Sequence, residues 1–105
     1  MEALLILTTL PDQDAARQLA RQLVEARLAA CVNILSPCAS VYRWDAAVRE
    51  EAEIPLLIKT TADRYAAVET FLQEHHPYEL PEIVALPIVQ GLPGYLDWVG
   101  AETRA

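Results

Sequence analysis

The segment from Val48 to Lys59 constrains the fold more than any other part of the chain. Val48, Ala52, Ile54, Leu56 and Ile58 hold one parity, and Arg49, Glu51, Glu53 and Lys59 hold the other. Side chains of an extended strand alternate faces, so this pattern predicts a strand with one buried and one wet face. Glu50 breaks the apolar parity and Pro55 removes one ladder donor, which places part of the strand at an edge or a bulge. Residues 30–44, rich in β-branched and aromatic side chains and interrupted by Pro37, read as the partner strand, with Asp45, Ala46 and Ala47 as the turn. Each arm of this hairpin exceeds the usual ~5–6 residues, so the arms should project past the body of a small domain.

The remaining segments supply the body. Residues 3–9, ALLILTT, are an apolar run without helical period and read as a buried strand. Asp12 can cap a helix with Asp14 in its first turn, and Ala16, Leu19, Leu23 and Ala26 recur at helical spacing as far as about Leu28. Thr61 can cap a second helix, with Tyr65, Val68 and Leu72 on one face, which must stop at His75–His76 because Pro77 follows. PEIVALPIV, residues 81–89, reads as a strand in which Pro87 marks an edge or bulge. A short last helix from Pro93 should carry Tyr95, Trp98 and Val99 inward. The order β-α-β-β-α-β plus a C-terminal helix is the split, ferredoxin-like plan of the α+β class, and residues 1–105 make one domain.

Composition narrows the partners. A net charge of −7, with Lys59 as the single lysine and the arginines scattered, argues against nucleic acid. No apolar run approaches the ~20 residues needed to cross a bilayer, and the N-terminus lacks a basic region before its apolar stretch. Neither a membrane nor a signal peptide is expected. Cys31 and Cys38, if on one extended strand, lie far beyond the ~7 Å that a disulfide tolerates, which fits a reducing, cytoplasmic setting. Hydrophobic residues make up 53% of a chain with little interior, so self-association is expected.

Several segments together resemble the CutA family of divalent-cation tolerance proteins: TTLPD at 8–12, RLAACVNI at 27–34, SVYRW at 40–44, LIKTT at 57–61, HPYELPEIVALPI at 76–88 and YLDW at 95–98. They span nearly the whole chain in order. The resemblance implies a ferredoxin-like fold, a homotrimer built partly by the long hairpins, likeness to PII signalling proteins, and association with copper or other divalent ions. Copper binding in relatives is attributed to a first-strand Cys and to a His pair. Here Thr8 stands at the first position, His75 and His76 match the pair, and Cys31 matches another cysteine of relatives. Weak binding of copper or another divalent ion is therefore the expectation, with no obligatory cofactor. Ala46 stands where the family's turn usually has Gly, which implies a different hairpin tip.

By chemistry, imidazole suits copper and zinc, which makes His75 and His76 the leading metal candidates, with Cys31 third. Adjacent helical residues diverge by roughly 100°, however, so the pair is poorly spaced for chelation, and Glu79 is the residue that could join His76 across the turn. Cys31 also fits as a small core residue. Tyr42, Trp44, Lys59, Tyr78 and Glu82 form a second set, which could floor a small-ligand cleft between subunits, as the PII likeness implies, or make structural contacts at the interface. A copper chaperone of this topology needs C-x-x-C in its first loop, and this chain has TTLPD there. An acylphosphatase-type enzyme needs Gly and Arg after the first strand, and residues 8–14 contain neither. No nucleophile–base constellation is recognisable, and no enzymatic activity is expected. The surviving readings are a trimer responding to a divalent ion or small ligand, and a scaffold whose metal binding is incidental.

Overall fold

A computed structural model describes residues 2–104. Strand β1 (Ala3–Leu10) leads into helix α1 (Gln13–Glu25), followed by β2 (Cys31–Ile34), β3 (Cys38–Trp44) and β4 (Ala47–Thr61). A 3₁₀ turn over 62–64 opens onto α2 (Tyr65–His75), then β5 (Val84–Ile88) and α3 (Pro93–Glu102). The sheet order is β2-β4-β1-β5, with β3 continuing along β4, and all of these pairings are antiparallel. This is the split β-α-β-β-α-β arrangement predicted from the element order.

Helix α1 begins as its sequence dictates. Asp12 is extended and its carboxylate accepts a hydrogen bond from the Ala15 N–H at 2.8 Å. It ends three residues before Leu28 in a Schellman motif: the Leu28 N–H reaches the Leu23 carbonyl and the Arg27 N–H reaches that of Val24. Arg27 takes the left-handed backbone, φ 58°, that closes this motif. Helix α2 differs from expectation, because Thr61 does not cap it; its hydroxyl bonds Asp63 within the 3₁₀ turn instead. The core lies between α1, α2 and one face of the sheet, where Ile6, Leu10, Leu23, Leu56, Ile58, Val68 and Leu72 are fully buried.

The predicted alternation of β4 holds only near the body. Ile54, Leu56 and Ile58 are buried, whereas Val48 is 67% exposed and residues 47–52 are exposed on both faces. The distal arms project, and the molecule measures 44 × 25 × 23 Å. The predicted first arm is two strands. Ile34 opposes Leu56 and Cys38 opposes Glu53, so residues 35–37 face only 54 and 55. One extra residue is inserted, a β-bulge beside Pro37, and Pro55 sits opposite it where a missing donor costs least. The bulge flips side-chain parity. Ser40, Tyr42 and Trp44 now share a face with Arg49, Glu51 and Glu53, whereas an unbroken strand would have placed Val41 and Arg43 there.

The hairpin tip is the two-residue loop Asp45–Ala46, with φ of 50° and 60°. Positive φ at both positions is the type I′ requirement, and Ala46 meets it by adopting the left-handed backbone that Gly takes freely. Helix α3 packs on the other face of the sheet. It buries Val99, but Tyr95 and Trp98 stay 40% and 43% exposed, so only one of the three expected residues points inward. Their rings pack against each other at 5.5 Å.

Candidate ligand cleft

The face set by the bulge turns over the loop between α2 and β5 to form a cleft of about 780 Å³. Its hairpin wall carries Tyr42, Trp44, Arg49, Glu51 and Glu53, and its loop wall carries Pro77, Tyr78, Glu79, Leu80 and Glu82. Of the predicted second set, Tyr42, Trp44, Tyr78 and Glu82 therefore meet in one place. Lys59 does not line this cleft; its ammonium lies over the Tyr95 ring, 5.7 Å from the centroid, a cation–π contact on the α3 side.

A ring of hydrogen bonds holds the cleft's inner end. The Tyr78 hydroxyl donates to Glu53 Oε2 at 2.8 Å, and Thr9 Oγ1 donates to the same oxygen at 3.1 Å. His76 is buried; one ring nitrogen, Nδ1, accepts from the Tyr78 N–H at 3.1 Å. With Nδ1 an acceptor, Nε2 carries the proton and donates to the Thr9 carbonyl at 2.8 Å. Farther out, the Tyr42 hydroxyl donates to Glu51 Oε1. Burial pushes the Glu53 carboxyl up, but hydrogen bonds from Ser40, Tyr78 and Thr9 and the nearby His76 outweigh it, leaving Glu53 below its ordinary value. Burial and the bond to Glu53 raise the Tyr78 phenol, and the bond to Glu51 raises that of Tyr42. Burial lowers His76, against the opposing pull of the Thr9 carbonyl and Glu53.

The metal candidates stand apart. Both nitrogens of His76 are engaged in holding the loop. His75 is exposed, stacks on Phe71 at 4.0 Å and places Nδ1 2.9 Å from the Phe71 carbonyl, so its Nε2 is the nitrogen left to coordinate. Cys31 lies on β2 opposite Lys59, four residues along the sheet from the level of Thr9, or ~13 Å. Thr8 is fully buried on the helix-facing side of β1, and its hydroxyl has no hydrogen-bond partner. Among the described residues no three His, Cys, Asp or Glu side chains converge on a metal position. The donor set of a single chain therefore does not fit a closed metal centre. Glu53, Thr9, Arg49 and Glu51 were missed as cleft residues. The signals available were the shared parity of 49, 51 and 53 and the place of Thr9 in TTLPD.

The sheet order and the projecting hairpin define a ferredoxin-like α+β protein with a cleft at the base of its hairpin. The family model described as CutA1 divalent ion tolerance protein matches residues 4–102. The chain is 47% identical over 98 residues to the divalent-cation tolerance protein CutA of Thermus thermophilus, covering 93% of this chain and 95% of that one. It is 41% identical to Protein CutA of mouse, where it spans only 55% of the longer protein. The crystal structure of CutA from Xylella fastidiosa superposes with a TM-score of 0.96 at 43% identity, covering 99% of this chain and 100% of that chain. The chain belongs to the CutA1 divalent ion tolerance protein family.

Proposed function

We propose that the protein acts as a cytoplasmic homotrimer in tolerance of, or response to, divalent metal ions such as copper, binding a small ligand or, weakly, an ion at a cleft near the subunit boundary. The observation that carries the assembly is the part of the sheet face opposite α1 and α2 that α3 leaves exposed. Cross-strand register lays Leu86, Leu5 and Lys59 in one row and Val84, Leu7 and Leu57 in the next. Leu86 is 53% and Val84 48% exposed, and β5 pairs with β1 on one side only. An apolar face ending in open strand edges invites association with further chains, and a closed oligomer removes that liability. Light scattering should give three times 11.7 kDa at micromolar concentration; a mass of 11.7 kDa would refute the assembly.

For metal, the free lone pair of His75 Nε2 supports one donor per chain, so affinity should be weak and should grow only if an assembly gathers several chains. Copper titration of the wild type and of His75→Ala tests this, and equal binding by both removes His75 from the site. The free Cys31 and Cys38 suit a reducing compartment. Among the described residues no helix is long and apolar enough to cross a membrane. The alternative of a PII-like small-ligand trimer is favoured by the cleft itself, whose aromatic walls suit an organic molecule better than a bare ion.

A further inference from the structure

We propose that the cleft between the hairpin and the α2–β5 loop selects an organic cation, a protonated or quaternary amine on a short apolar body, and rejects anionic nucleotides. This inference rests on the reading of the cleft as a ligand site and names its chemistry. A volume of about 780 Å³ falls within the range of small-molecule sites. Tyr42 and Trp44 keep 37% and 40% of their surface exposed on the hairpin wall, because a projecting hairpin has no core of its own to receive them. Tyr78 stands on the opposite wall, tilted against the His76 ring at 4.8 Å and fixed by its bond to Glu53. Aromatic side chains on both walls can attract a cation through their negative π faces.

The charges point the same way. Four carboxylates, Glu51, Glu53, Glu79 and Glu82, line the cleft against the single guanidinium of Arg49. Tyr78 and Thr9 hold Glu53 ionised at the inner end, so the field persists at neutral pH. Glu79 and Glu82 stand exposed on the loop wall of the same cleft. Phosphate would meet net repulsion from both walls, and the wider surface, at −7 overall, adds to it. Arg49 lies opposite Tyr42 on the hairpin, toward the tip, and sets one end of the cleft apart from the acidic end.

Calorimetric titration of the full chain with spermidine, with ATP and with zinc tests the assignment. Spermidine should bind, more weakly as salt rises, while ATP should not. Glu79 and Glu82 are exposed within the chain, and Glu82→Gln and Glu79→Gln should each weaken spermidine several-fold. Trp44→Leu keeps apolar bulk but removes the π face, and should weaken it by about tenfold. Binding of ATP, or spermidine binding indifferent to all three substitutions, overturns the proposal. Zinc binding that Glu82→Gln abolishes, with no spermidine binding, keeps a cleft site but sinks the organic-cation class. No binding of any probe to the cleft sinks both readings.

Discussion

Ala46 holds a backbone conformation that glycine adopts freely. Its φ is 60°, next to Asp45 at 50°, at the end of a hairpin whose strands force a two-residue turn. A left-handed backbone costs an L-residue roughly 1–2 kcal/mol. Asp45 offsets part of its own share, since short polar side chains tolerate this region, but Ala46 has no such recourse. Replacing Ala46 with Gly removes that cost and adds ~0.4–1 kcal/mol of unfolded-chain freedom. Ala46 is exposed, so no packing is lost. The balance favours Ala46→Gly by about 0.5–1 kcal/mol, or ~2–6 °C in Tm for a domain of this size. Urea unfolding at one fixed protein concentration should show a raised midpoint at unchanged slope. Ala46→Val should move the other way, because a β-branched residue tolerates positive φ least. An unchanged or lower midpoint for Ala46→Gly, together with a harmless Ala46→Val, would refute the strain argument.

Thr8→Val exchanges a buried hydroxyl without a partner for a methyl of similar size, and should stabilise by about 1–2 kcal/mol in the same denaturation assay; a loss of stability would mean the hydroxyl is satisfied. His76 is held below its ordinary 6.5, so the unfolded chain takes up its proton first. Stability should therefore fall as pH drops below ~6.5 and level off once folded His76 protonates. Glu53, lowered from its ordinary 4.5, adds a second loss below that pH as its carboxylate protonates. In His76→Gln the first decline should vanish and the second remain, and an unchanged profile would exclude His76 as its source. Trp44→Ala should lower the thermal midpoint and promote dissociation on dilution, with ~1.5–3 kcal/mol as a ceiling because the ring is only partly covered within one chain; unchanged dilution behaviour would leave Trp44 a ligand-facing role alone.

Element order, the Asp12 cap, the core positions 6, 56, 58, 68 and 72, and the overlong hairpin were all legible as periodicity and punctuation. These signals are local, set by strand and helix repeats and by capping chemistry, and need no knowledge of what lies across the sheet. The misreadings share the opposite cause. Tyr95 and Trp98 have helical spacing, yet the face they line meets little of their own chain. Val48 keeps the apolar parity of Ile54, but sits where the hairpin has left the body.

The sequence alone determined the ferredoxin-like plan, because alternation, capping and proline placement leave few other ways to pair its strands and bury its helices. Tertiary structure alone decided the cleft. Pro37 signalled an interruption, but whether it inserted a residue depended on the register of Cys38 against Glu53. That one residue sets the parity of everything beyond it, turning Tyr42 and Trp44 toward Glu51 and Glu53. His76, one of the two leading metal candidates by residue type, is committed on both nitrogens to Thr9 and Tyr78, 67 residues and two residues away. Side-chain chemistry is written in the sequence; which groups a side chain spends that chemistry on is decided by what the fold brings within 3 Å of it.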